Sequence, residues 1–140
     1  MKKGLFAMML SCCLLLAGCG APQQTPAPSP SSSGVPAAYR KITAEEAKRM
    51  IDAGGVTVVD VRRADEYAQS HIPGALLVPN EEIGANAPEA LPDKDAVLLV
   101  HCRSGVRSRQ AADKLLALGY QNVYDFGGIA DWPYETVSGS

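Results

Sequence analysis

Two runs rich in Val and Leu, Val56 to Val61 and Ala96 to Cys102, carry apolar residues on both faces of an extended chain. A strand of that kind must be covered on both sides, which is the condition of strands inside a parallel sheet and not of a sheet with one wet face. What lies between and around the runs agrees. Thr43-Ala44-Glu45-Glu46 is a capping box that opens a helix ending near Gly54-Gly55, and Ala64 to Ser70 has the length of a short helix. Leu76 to Val78 reads as a brief strand, Pro92 to Asp95 as a turn, Arg107 to Leu118 as a helix stopped by Gly119, and Asn122 to Phe126 as a last strand. Strands alternating with helices predict an α/β fold: a mainly parallel central sheet with helices on both faces and ligand sites at the carboxyl ends of the strands. Cys102 lies at such an end.

The eight residues His101 to Ser108 join the central run to the following helix through a tight loop. Cys102 therefore sits beneath a helix N-terminus, where loop amides and the positive end of the helix dipole converge. Arg103 and Arg107 are expected as exposed cations at the mouth of this cup, and the surroundings favour thiolate over thiol near neutral pH. A buried structural cysteine would need neither the two arginines nor Gly105. The spacing also bears on the chemistry. Cysteine phosphatases built on the same strand-loop-helix design place five residues between Cys and Arg, which makes a cup for a tetrahedral phosphate. Here four residues, Arg103 to Val106, separate Cys102 from Arg107, and Ser108 occupies the position a phosphatase fills with arginine. The smaller cup suits a single sulfur atom carried on Cys102 as a persulfide.

The run Cys102-Arg103-Ser104-Gly105-Val106-Arg107-Ser108 resembles the active-site loop of single-domain rhodaneses, the thiosulfate sulfurtransferase family. Asp60-Val61-Arg62, Glu66-Tyr67 and His71-Ile72-Pro73-Gly74-Ala75 resemble the family's first signature, and Gly127-Gly128-Ile129 with Trp132 its C-terminal one. The resemblance extends from about Ile42 to Trp132, with the motifs in the family's order. Ser70 stands where the family usually has glycine, a departure that bears on turn geometry and not on chemistry.

Other polar residues carry less. Asp60 and Arg62 end a strand on the side of Cys102 and are expected to support the rim of the site through an ion pair or loop hydrogen bonds. His101 alternates with Cys102 along the strand, so the two side chains point to opposite faces and do not form a nucleophile–base pair. His71, next to Pro73-Gly74, reads as a turn residue, and Trp132 as a core or rim residue. One strand-end cysteine and two separated histidines do not have metal-ligand spacing, so neither a metal nor an organic cofactor is implied.

The N-terminus adds a separate signal. Lys2 and Lys3 precede an apolar stretch, Leu5 to Ala17, too short for a comfortable membrane span. It ends at Leu16-Ala17-Gly18-Cys19, which resembles a bacterial lipobox. The resemblance implies a signal peptide over residues 1–18, removed in processing, with Cys19 acylated as the new N-terminus. Residues 20–38 are rich in Pro, Ser, Ala and Gln without a charge and are expected to act as a tether, residues 19–38 forming the anchor segment and 39–140 one domain. Processing would discard Cys12 and Cys13 and consume Cys19, leaving Cys102 as the single free thiol and an external acceptor as the means of resolving a persulfide. It would also remove two lysines and no acid, taking the formal charge from −2 to −4. That balance offers no basic footprint for nucleic acid, and membrane contact would come from lipid.

Together these features predict a lipid-anchored, extracytoplasmic sulfurtransferase. Cys102 would take sulfane sulfur from a small donor such as thiosulfate and pass it to a thiol or cyanide, with Arg103 to Ser108 binding the anionic substrate. The competing reading is a non-enzymatic persulfide carrier or redox-sensing module acting for a membrane partner.

Overall fold

The computed structural model describes residues 37–139; the expectations about the signal peptide, Cys19 and residues 20–36 of the tether lie outside the described residues. Within them, five strands form one sheet in the order β1-β5-β4-β2-β3, every pair parallel. The elements run β1 (Arg40–Lys41), α1 (Ala44–Ala53), β2 (Val56–Asp60), α2 (Ala64–Gln69), β3 (Leu76–Leu77), β4 (Val97–Cys102), α3 (Val106–Ala117), β5 (Asn122–Gly128) and a single 3-10 turn, Ile129–Asp131.

Local chemistry sets the element ends. At the start of α1 the Thr43 hydroxyl accepts from the Glu46 amide at 3.1 Å and the Glu46 carboxylate accepts from the Thr43 amide at 3.0 Å, the reciprocal capping box expected there. Gly54, at φ 81°, ends the helix in a conformation that L side chains rarely adopt. Ser70, the departure from the family's glycine, has φ −168° and is ordinary extended backbone, so a serine is accommodated there without strain.

The double-sided apolar pattern of β2 and β4 is used as the sequence predicts. One face of the sheet buries Val59, Leu98, Val100, Cys102 and Val123 against Ala111, Ala112 and Leu115 of α3. The other buries Val58, Leu99 and Phe126 against Ala47 of α1, together with Ile72 and Trp132. Cys102 thus belongs to the α3 face, whereas His101 contacts the Phe126 ring on the α1 face. The register of β4 with β5 shifts between Val100, opposite Asp125, and His101, opposite Gly127. This bulge at Phe126 re-aims the end of β5 toward the loop that follows Cys102.

Two features depart from the sequence expectations. Arg40–Lys41 adds an edge strand to β5, too short to show a periodic pattern. His71, expected as a turn residue, lies just before the turn in an isolated antiparallel bridge: it is buried, its ring stacks on Tyr67 with centroids 3.8 Å apart, and its backbone exchanges hydrogen bonds of 2.7 and 2.8 Å with Val137. No helix among the described residues is long and apolar enough to cross a membrane.

Candidate active site

Cys102 is the last residue of β4, 1% exposed, with the loop closing over its sulfur before α3 begins at Val106. The turn depends on Gly105, which caps the helix at φ 95° and donates its amide to Sγ at 3.1 Å. Burial alone raises the pKa of a thiol; the amides of Ser108, Ser104 and Gly105 outweigh it, so Cys102 ionises below the usual range of a thiol. For a sulfur largely withdrawn from water, backbone dipoles stand in for the lost solvent and favour the charged form.

The floor of the cup is held by a buried carboxylate. Asp125 is fully buried beneath the loop; its Oδ1 accepts the Ser108 hydroxyl at 2.8 Å and the Gly127 amide at 2.8 Å, and its Oδ2 accepts the Tyr39 hydroxyl at 2.7 Å with Lys41 Nζ at 3.4 Å. A second support is the approach of β5. A Cβ added to Gly128 would lie 2.2 Å from the Arg103 carbonyl oxygen and 2.8 Å from the Ser104 Cα, so only glycine lets the backbones meet.

The two arginines differ from the sequence expectation and from each other. Arg107 is not an open cation at the mouth: its side chain is 26% exposed, and both terminal nitrogens bind the Glu66 carboxylate, at 2.6 and 2.8 Å. That fork draws the Glu66 pKa down to about 2 and raises that of Arg107. Arg103 is exposed and makes no side-chain hydrogen bond or ion pair among the described residues. Val106 contributes the first turn of α3 while its side chain is 65% exposed.

Asp60 and Arg62 form an ion pair, one of the two arrangements the sequence offered for them. Arg62 Nε and Nη2 bind the buried Asp60 carboxylate, Nη2 at 2.6 Å, and Nη2 also reaches the Ser70 carbonyl at 2.7 Å. His101 lies behind them with Nε2 3.7 Å from Asp60 Oδ2, and burial lowers its pKa, keeping the imidazole neutral. It cannot serve Cys102 as a base, since it lies on the other face of the sheet. Among the described residues no group of three or more His, Cys, Asp or Glu side chains is placed to hold a metal ion. Glu66, Asp125, Tyr39 and Lys41 were not singled out from the sequence as site residues. Glu66 lies inside a quoted motif, but the other three carry no local signal.

A cysteine whose pKa is lowered by loop amides, at the carboxyl end of the central strand of a parallel α/β sheet, is the arrangement that fold and site define together. The chain belongs to the rhodanese family: the model of the Rhodanese-like domain matches residues 43–134. It is similar to the thiosulfate sulfurtransferase PspE of Escherichia coli, 36% identical over 81 residues that make up 58% of this chain and 78% of the relative. It is likewise similar to a sulfurtransferase of Allochromatium vinosum, 41% identical over 61% of this chain and 78% of the relative. Among solved structures, a rhodanese-like domain protein of Staphylococcus aureus superimposes with a TM-score of 0.61 at 32% identity, covering 72% of this chain and 99% of the other.

Proposed function

We propose that this protein is a sulfurtransferase that carries sulfane sulfur as a persulfide on Cys102. The thiolate attacks the outer sulfur of thiosulfate; a Cys102 S–S bond forms, the S–S bond of the donor breaks, and sulfite leaves with the electron pair. Cyanide or an acceptor thiolate then attacks the terminal sulfur, and the Cys102 sulfur departs as thiolate. The loop amides stabilise the anionic sulfur at both stages, Arg103 attracts the dianionic donor, and Arg107, paired with Glu66, ties α2 to the first turn of α3. The observation that carries this reading is the Gly105 amide 3.1 Å from Sγ in a cup that lowers the thiol pKa. The similarity to named sulfurtransferases supports it. We also read Cys19 as a lipid anchor that places the domain outside the cytoplasmic membrane, on the strength of the lipobox-like sequence.

Intact mass is the direct test. Thiosulfate should add one sulfur to the wild-type protein and none to Cys102→Ala, and steady-state thiocyanate production should continue past one equivalent. A mass that never changes would refute the persulfide, and a burst of one equivalent followed by arrest would make the protein a carrier. Aryl phosphates should be hydrolysed only at background; turnover dependent on Cys102 would overturn the argument from loop length.

A further inference from the structure

Beside the loop lies an open cleft of about 290 Å³, near the lower end of the size range of small-ligand sites. Its walls are Arg62, Glu66 and Gln69, Arg103, and the backbone turn at Ile129 and Ala130. Arg103 belongs to both the loop and the cleft, and the Ala130 amide donates to its carbonyl at 3.2 Å, so the cleft adjoins the cup.

The charges of these walls do not cancel. Glu66 is neutralised by Arg107, and Asp60 by Arg62, which leaves the cation of Arg103 uncompensated. Arg62 is 5% exposed and uses Nε and Nη2 on Asp60 and Ser70, leaving Nη1 without a partner among the described residues. A guanidinium nitrogen held at a cleft wall by a buried ion pair is a preorganised donor for an anionic oxygen, and Gln69 adds a neutral amide on the same wall. The Arg62 and Gln69 donors are not needed by thiosulfate, whose reacting sulfur belongs in the amide cup and whose charge Arg103 already meets.

We propose that the cleft is an acceptor subsite, which holds the carboxylate of an aliphatic thiol while that thiol's sulfur meets the Cys102 persulfide. The inference rests on the persulfide reading and names the class of acceptor for it. The acceptor thiolate attacks the terminal sulfur, an acceptor S–S bond forms, the Cys102 S–S bond breaks, and its electron pair regenerates the Cys102 thiolate. The outgoing persulfide keeps the transferred sulfur at its original oxidation level, so no oxidant or reductant enters.

The test compares 3-mercaptopropionate with 2-mercaptoethanol as acceptors, thiosulfate being the donor and rates being expressed per thiolate. Wild-type protein should favour the carboxylate in kcat/KM by about tenfold, the scale of one charge-assisted hydrogen bond in a partly open site. Gln69→Glu and Ala130→Asp place a negative charge on either wall, and each should abolish most of that preference, the 2-mercaptoethanol rate of the same variant serving as its internal reference so that any effect of the new charge on the donor step cancels. Equal wild-type kcat/KM for the two acceptors overturns the subsite, as does a preference that both variants retain. Persulfide formation measured by mass separates the two failures: if the persulfide forms and no preference appears, the subsite alone is wrong, and if none forms, both readings fall.

Discussion

A thiol with 1% exposure ionises readily only where something replaces the water it has lost, and at Cys102 the replacement is a ring of amides. The pH dependence follows. Thiolate fraction rises with pH through the Cys102 pKa, which the loop amides lower, so alkylation by iodoacetamide should reach half its plateau rate at a lower pH than the value found for the same protein unfolded in denaturant. A midpoint at or above that value would mean that the amides do not prevail over burial. Arg107 and Glu66 yield a second expectation. Glu66 titrates at about 2 in the folded protein, so its contribution is complete above the ordinary carboxylate pKa of about 4.3 and is lost as pH falls from there toward 2. Glu66→Gln should cost about 1–2 kcal/mol at pH 7, discounted for partial exposure of the fork, with the gap to wild type closing as pH falls toward 2 in denaturant titrations. An unchanged gap at low pH would show that the loss came from something other than the ion pair.

At the scale of elements, the site is a junction of β4, α3 and the end of β5. The β5 bulge sends Asp125 beneath Ser108 and brings Gly128 against the Arg103 carbonyl. Gly128 has φ −119°, so its requirement is for space and not for an unusual backbone. Gly128→Ala should therefore displace the loop, lowering kcat/KM with thiosulfate by at least tenfold, an order of magnitude consistent with misplacing a preorganised donor set. Circular dichroism should still report a folded α/β protein. Wild-type kinetics in that variant would show that the loop tolerates a displacement the geometry says it must undergo.

For the whole molecule, two cores on opposite faces of one sheet give Cys102 a rigid position without giving it a base. His101 is neutral, buried and turned to the other face. The proposed chemistry at Cys102 therefore draws on the cup and on the acceptor, not on His101. Under the proposed lipid anchoring, the N-terminal residues set where an acceptor is met. Cys19→Ser should block fatty-acid labelling and leave the precursor unprocessed, read by metabolic labelling together with the N-terminal mass. Wild-type protein that is unlipidated and begins elsewhere than Cys19 would remove the anchor from the account. A single acyl chain holds a protein to a bilayer only marginally, so stable attachment calls for more than one.

The double-sided apolar runs, the Thr43 capping box and the strand-loop-helix around Cys102 are local patterns, and from them the parallel α/β architecture and the place of Cys102 at a strand end beneath a helix N-terminus were legible in the amino-acid sequence alone. Each depends on residues within one or two turns or one strand of each other, which is the range over which periodicity and capping operate. The tertiary structure decided the partners. Arg107 meets Glu66 across 41 positions and Tyr39 meets Asp125 across 86, and nothing in the spacing of either pair marks it. An arginine that looks like a free cation in sequence became a strut, and His71, expected in a turn, became a stacked ring that holds the C-terminal segment. Backbone hydrogen bonding and burial pattern are dictated by near neighbours in the chain. Which charges are neutralised, and which are left to meet a ligand, is settled only when distant segments pack together.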